Sequence, residues 1–460
     1  MRFLTIILLL IASVSFGQND TAYYNYYGGT NNDEFESVIQ NNDGGFSILG
    51  TTSSFGNGET DFLVINLDSN LNEVNSFTIG TDKIEKISEF KKINDNFYFA
   101  GITNSWGNGE FDLYLVKTNS TGDIIWEKTI GSVSWEEFID FDIVENSLFV
   151  LGNIIDTDVN STYLLKLDTN GTITNKIKLD STNNHTYSKI LTSESKNIIL
   201  SGYFEDGSST NFFLSKFNAS DQSNIFFNEF SFNMSQKVVE GNIFGDKIFL
   251  VGESNFVSQS SNFDYYLTQL DTNGIFYWSS HFGSSTVGND IGNDVEYFND
   301  TIYTLGSTSS YGAGLNDYYF MICNNSGNYI NGTTYGFQKE DIGKKVIKTK
   351  NWIYLFGDSQ DYGINYTDIL IVKTKNIYTN PPKKIILNNL VNPKVITIVN
   401  SVNSNAILKF DYFDIYNTLG QKITTLEFVP GIYFIKYYAD GKLVSIKKEF
   451  LNTPIKSPQP

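Results

Sequence analysis

Apolar runs that end in glycine recur along this chain at a nearly constant interval. They read Phe46–Gly50 (FSILG), Phe97–Gly101 (FYFAG), Leu148–Gly152 (LFVLG), Ile198–Gly202 (IILSG), Ile248–Gly252 (IFLVG), Ile302–Gly306 (IYTLG) and Ile353–Gly357 (IYLFG). The glycines step by 51, 51, 50, 50, 54 and 51 residues. Polar turns divide each period into four short runs. In the second period, Ile84–Ile93 predicts a first strand and Asn94-Asp95-Asn96 a turn. Phe97–Ile102 is the second strand, followed by a loop rich in Gly and Asn. Asp112–Thr118 is the third strand, Asn119-Ser120-Thr121-Gly122 a hairpin turn and Ile124–Ile130 the fourth strand.

Many of these runs are apolar on both faces, so both faces need cover, unlike a half-solvated antiparallel sheet. Radially packed sheets supply it, because each lies face to face with two neighbours. Four strands in each of seven periods predict an all-β fold, a seven-bladed β-propeller. A two-layer sandwich is the runner-up, but it gives no reason for seven equal periods. The chain ends predict how the ring closes. The seventh unit has Ile353–Gly357 and Asp368–Thr374, then Asn380-Pro381-Pro382 where a fourth strand would lie. Ala22–Gly28 (AYYNYYG) is a fourth strand without a unit of its own. Gly28 lies 22 residues before Gly50, much as Gly80 and Gly131 lie 21 before Gly101 and Gly152. The amino-terminal strand is therefore expected to complete the last blade.

Aromatic content of 15% and hydrophobic content of 40% exclude disorder. The formal charge of −19 is uneven: from Pro381 onward ten Lys outnumber five acids. The acidic body repels phosphate backbones, so nucleic acid is not an expected partner. Met1–Gly17 has one positive charge and an apolar stretch, which predicts a secretory signal cleaved before Gln18. No later stretch is apolar enough for a membrane helix. Cys323, the only cysteine, lies in a strand run and is expected to be a buried thiol.

Asp opens the third strand in five units, as Asp61, Asp112, Asp264, Asp317 and Asp368; Ser161 and Asn211 take the slot in the others. All seven accept hydrogen bonds, which predicts satisfaction of N–H groups in the preceding loop. A cation-holding ring of carboxylates is the disfavoured alternative, since a ligand site usually breaks its scaffold's symmetry. Phe55, Trp106 and Tyr311 lie in the loops between second and third strands, where aromatic faces could meet a sugar ring. Packing of those loops is the competing expectation. The turns Asp168-Thr169-Asn170-Gly171 and Asp271-Thr272-Asn273-Gly274 lack the spacing and distal Glu of a calcium loop. Thr121-Gly122 and Trp126 look like the Thr-Gly…Trp element of quinoprotein propellers, but no cofactor site accompanies them. The two histidines, His185 and His281, stand in no metal spacing, and Trp135-Glu136-Glu137 is one of many acidic pairs. No catalytic residues, metal or cofactor are therefore expected.

After Pro382 the chain turns basic. Asn392-Pro393 precedes Tyr416-Asn417-Thr418-Leu419-Gly420-Gln421, then Gly431-Ile432-Tyr433, then Lys447-Lys448. Short strands joined by glycine turns predict a small β-sandwich. This ordered set resembles the C-terminal sorting domain of proteins exported by the type IX secretion system of Bacteroidota. It departs from that family in a short segment between Gln421 and Gly431 and in a longer tail. The resemblance implies type IX machinery as a partner and delivery to the medium or the outer cell surface. The repeats look like those of propellers secreted by the same bacteria. The organisation expected is a signal over 1–17, a propeller over 18–378, a linker over 379–391, a sorting domain over 392–452 and a tail over 453–460. The leading functional expectation is a non-catalytic propeller that binds an extracellular glycan or protein. The rivals are a polysaccharide-active enzyme with its site at the channel mouth and a structural surface protein.

Overall fold

The computed structural model describes residues 22–375 except 157–158, 180–184, 193–195, 208, 233, 256–261, 284–287 and 362–365. Beyond them it describes Leu387–Asn388, Tyr412–Tyr416, Gly431–Ala439 and Lys442–Leu451. The first body consists of seven antiparallel sheets, six of four strands and one of five, and no helix occurs among the described residues. Blade one runs Asp33–Gln40, Phe46–Thr52, Asp61–Leu67, Glu73–Ile79. Blades two to six repeat this order over Glu85–Ile130, Glu137–Lys178, His185–Phe230, Gln236–Phe282 and Asp290–Tyr335. Blade seven takes three strands from Asp341–Thr374 and its fourth from Tyr23–Tyr27, which pairs with Asp368–Thr374 from Tyr23↔Lys373 to Tyr27↔Ile369. Ring closure by the amino-terminal strand is thus as the sequence predicts.

The seven recurring glycines have one shared cause. Each lies opposite a β-bulge in the first strand, directly after the pairs Phe35↔Gly50, Ile87↔Gly101, Phe138↔Gly152, Tyr187↔Gly202, Val238↔Gly252, Gly292↔Gly306 and Gly343↔Gly357. The bulge pushes a first-strand carbonyl toward the glycine. A Cβ there would stand 1.9 Å (Gly252, Gly306) to 3.0 Å (Gly152) from that oxygen. The extra residue bends the strand and re-aims the side chain that follows.

Second and third strands are buried on both faces, as in Phe46–Thr52, where every residue is buried. The core is shared between blades: Leu49 and Phe62 of blade one pack with Phe90, Phe97 and Tyr114 of blade two. Each fully buried large apolar side chain of this kind contributes roughly 1.5–3 kcal/mol. Fourth strands are mostly solvent-facing, though Ser279, Ser280, His281 and Phe282 of blade five, Tyr335 of blade six and Tyr27 are buried, and first strands carry charged side chains into the ring's axis. Cys323 is buried as expected, and burial pushes its thiol well up.

Contacts divide the chain into residues 1–398 and 399–460. Leu387–Asn388, in the expected linker, pairs with the fourth strand of blade five. In the second unit Tyr412–Tyr416, Gly431–Ala439 and Lys442–Leu451 form a three-stranded antiparallel sheet. Gly431, Tyr433, Lys447 and Lys448 lie on its strands, with Tyr433 paired to Glu449 and Lys447 to Ile435. Asn392, Pro393, Gly420 and the expected signal lie outside the described residues.

Candidate functional site

The repeated Asp residues stand at the junctions between blades. Asp61 Oδ2 accepts the N–H groups of Asn57 (2.8 Å) and Gly58 (3.1 Å). Asp112 Oδ2 accepts that of Asn108 (3.1 Å), and Asp317 Oδ2 those of Ala313 (2.9 Å) and Gly314 (3.3 Å). Their other carboxylate oxygens occupy the space beside a glycine that sequence reasoning did not connect to them. A Cβ would stand 1.6 Å from Asp61 Oδ1 at Gly80, 1.7 Å from Asp112 Oδ1 at Gly131 and 2.2 Å from Asp317 Oδ1 at Gly336. Gly283 stands in the same relation to Asp264 (1.5 Å) and Gly28 to Asp368 (1.9 Å). Where Asn211 replaces Asp, Ser231 replaces the glycine. An acid from the next blade closes on the same point: Glu85 Oε2 at 2.9 Å, Glu136 Oε2 at 2.5 Å, Asp341 Oδ2 at 2.7 Å and Asp33 Oδ2 at 3.1 Å. Burial, then the Asp33 charge, pushes Asp368 up to about 7. These pairs tie loops together around the ring. Among the described residues, no group of three or more His, Cys, Asp or Glu side chains could hold a metal ion.

Loops between second and third strands share one face of the ring with the passages from fourth to first strand, because strands alternate in direction. Phe55, Trp106 and Tyr311 all lie on this face, in blades one, two and six. Phe55 is half-buried against the core shared by blades seven and one. Tyr311 packs on Tyr319 with ring centroids 5.8 Å apart. Trp106 leans on Tyr114 at 5.2 Å and stays 36% exposed. No ring contact joins the three.

The face instead concentrates aromatics at the junction of blades two and three. Three junctions carry the same isolated parallel bridge: Thr60↔Ile84, Phe111↔Trp135 and Asn316↔Glu340. Only the second places two aromatics there. Their centroids are 4.7 Å apart, the Glu136 N–H donates to the Phe111 carbonyl at 2.8 Å, and Trp135 is 54% exposed. Val133 and Trp106 are exposed in the two loops that meet at this junction. Sequence reasoning weighed Trp135 only as a neighbour of two glutamates. The missed signal was the paired aromatics at a position that is polar or aliphatic in the other bridges.

The second feature is the axial channel, lined by first strands and about 380 Å³ in volume. The residue after each bulge forms a ring: Ser37, Glu89, Asp140, Lys189, Glu240, Asp294 and Lys345. Lys189 Nζ lies 3.0 Å from Glu240, 3.4 Å from Asp140 and 3.7 Å from Glu89. Lys345 Nζ lies 3.4 Å from Asp294 and 3.5 Å from Glu240. Lys91 reaches Asp142 at 3.8 Å and Glu89 at 3.9 Å. Burial alone would raise Glu89, but Lys91, Lys189 and Lys345 outweigh it and hold the group at about 2. Burial pushes Asp140 up to about 6 against the pull of Lys189, and pushes Glu296 up to about 8 with help from Asp294. The channel is thus a buried ion-pair plug.

No family model matches the chain, and no curated protein matches it. Among solved structures it is similar to the β-propeller domain of the Trilobed protease from Pyrococcus furiosus, at 9% identity and TM-score 0.44. That likeness covers 76% of this chain and 99% of the other. It is also similar to the hydrazine synthase of Kuenenia stuttgartiensis, at 8% identity and TM-score 0.46 over 72% of this chain and 94% of that one. Likeness at these identities concerns the propeller fold alone.

Proposed function

We propose that this protein is an exported, non-catalytic binding propeller that takes a glycan on the face of its second-to-third-strand loops, centred on Phe111 and Trp135. The observation that carries the reading is the aromatic pair, half-buried Phe111 under exposed Trp135, at one of three equivalent bridges. A large indole face left in water supports stacking on the C–H face of a sugar ring. Outside the fourth strands and the turns that lead into them, every exposed large hydrophobic of the described residues lies on this face: Trp106, Val133, Trp135, Phe263, Leu315, Phe337 and Tyr366. The engagement of the channel carboxylates by lysines weighs against the rival enzyme with its site at the channel mouth.

On a glycan array, the full mature chain is expected to bind a subset of polysaccharides. Replacing Trp135 with Ala should weaken that binding about tenfold, the equivalent of ~1.4 kcal/mol. Retention of affinity in this variant, or no binding to any glycan, would move the assignment to a protein partner.

The export route in this reading rests on the resemblance of the segment from Asn392 to Leu451 to type IX sorting domains. The partner there is the type IX machinery and the destination is the medium or the outer cell surface. Deleting residues 392–460 should leave the propeller in the periplasm, assayed by fractionation. Normal release of the truncated chain would sink the sorting role.

A further inference from the structure

Four junctions close their outer rim in the same way. An aromatic from the fourth strand of one blade fills the gap beneath a turn glycine of the next blade. A Cβ added at Gly122 would stand 2.5 Å from the ring of Phe77, and at Gly171 it would stand 3.1 Å from that of Trp126. At Gly274 and Gly327 the corresponding distances are 3.1 Å from Phe226 and 2.3 Å from Trp278. These glycines have positive φ, as the turn between third and fourth strands requires. The junction of blades three and four departs from this pattern at both partners. The fourth strand of blade three presents Asn175 and Ile177 at the two register positions that carry those aromatics. In the turn of blade four, Gln222 takes the glycine's place at φ 56°.

The space left open is a cleft of about 540 Å³, within the usual range of small-molecule pockets of roughly 300–1,000 Å³. Its apolar wall includes Ile177, Leu179, Tyr187, Phe217 and Phe227. Two polar groups inside it are incompletely satisfied. Gln222 is 4% exposed; its Nε2 donates to the Leu164 carbonyl at 3.3 Å, while its Oε1 has no donor. His185 replaces the acid that opens the first strand in most blades. Its Nε2 lies 3.0 Å from Glu229 Oε1, and its buried Nδ1 has no partner. A buried acceptor without a donor is rare in folded proteins and calls for an account.

We propose that the cleft between blades three and four is a binding site for one pyranose-sized, hydroxyl-bearing ligand. The Glu229 carboxylate accepts a hydrogen bond from one of its hydroxyls, a turn of the Gln222 side chain brings the buried Oε1 to another, and the Phe227 ring covers its C–H face. Lys178 and Asn224 complete the polar lining; this mixture of donors and acceptors beside an exposed aromatic suits a sugar, whose hydroxyls do both, better than a phosphate or carboxylate, which could use the donors alone and would bring negative charge to Glu229. The site does not depend on the glycan face described above, and Trp135 takes no part in it.

The test is saturation-transfer NMR on the full-length protein with D-glucose, D-galactose and N-acetyl-D-glucosamine as probes, and choline as a cationic control. At least one sugar should receive saturation, strongest at its ring C–H protons. The double variant Asn175→Trp, Gln222→Gly gives both partners the residue types of those four junctions. It should abolish transfer while the melting temperature stays level or rises, and Phe227→Ala should weaken transfer at least fivefold. The whole series is run in a Trp135→Ala background, which removes the loop face from the signal, so that loss of the face and loss of the cleft are told apart. No transfer from any of the three sugars, transfer from choline alone, or undiminished transfer in the filled variant would overturn the proposal.

Discussion

A chain that begins at Gly29 should lose the cooperative unfolding of the ring. The strand removed, Tyr23–Tyr27, makes five consecutive residue pairs with Asp368–Thr374 and belongs to no other ladder. Tyr27 is 2% exposed, and its hydroxyl donates to the Leu71 carbonyl of blade one at 2.6 Å. It shares a core with Phe46 of blade one and Phe356 of blade seven, so this strand covers the seam where the ring closes. Tyr24 lies against Tyr335 and Phe337 at 6.4 and 5.4 Å, which ties the same strand to blade six. Each ladder hydrogen bond contributes about 0.5–1.5 kcal/mol net, and each buried tyrosine about 1.5–3 kcal/mol. Their sum rivals the roughly 5–15 kcal/mol by which a folded domain is stable. Calorimetry of the truncated chain should show a melting temperature lower by at least 10 °C, as an order of magnitude. A synthetic peptide of residues 22–28 supplied in trans should restore part of that loss by strand addition. An unchanged transition would mean that the first blade holds the seam without this strand.

What could be read in advance depended on how far apart the determining residues lie. The glycine words were legible because a bulge and the residue opposite it are local, and the same collision recurs at Gly50 and Gly357. The aspartates were legible as loop acceptors for the same reason: Asp61 and Asn57 are neighbours in the chain. The strand pairing that brings Gly28 to Asp368 was legible too; the carboxylate filling the space beside that glycine was not, because strand order says nothing of side-chain volume. Glu89 and Lys91 lie in the run that predicts a first strand, but nothing local to them shows that a closed ring turns them inward. Their signal was available as a polar residue twelve or thirteen positions before each repeat glycine, from Ser37 to Lys345. Trp135 and Phe111 lie in different blades, so their contact was invisible to periodicity. His185 stands in no metal spacing; its meaning lies in the scaffold acid that it replaces.

Lys189→Met should be the most damaging single substitution in the channel. The ammonium group faces Glu89 and Asp140 on one side and Glu240 on the other, with 13% of the side chain exposed. Removing one member of such a buried set leaves the rest uncompensated, a loss of about 3–5 kcal/mol in comparable cases. The loss has a pH signature. In the native ring Glu89 is held at about 2, below its ordinary 4.5; that contribution is present above pH 4.5 and lost as pH falls toward 2. Asp140, pushed up to about 6, acts in the opposite sense, and stability declines as pH rises from about 4 to 6. Without Lys189 all three acids bind protons more tightly in the folded state. The variant should therefore fall furthest below the native protein at pH 8 and approach it at pH 5. Denaturant titrations at the two pH values measure the difference. Adding Asp140→Asn to Lys189→Met should recover part of the loss at pH 8, because one repelling charge is gone while an acceptor for the Ile190 N–H, now 2.7 Å from Asp140, remains. A loss equal at both pH values would assign the role of Lys189 to packing of its methylene stem.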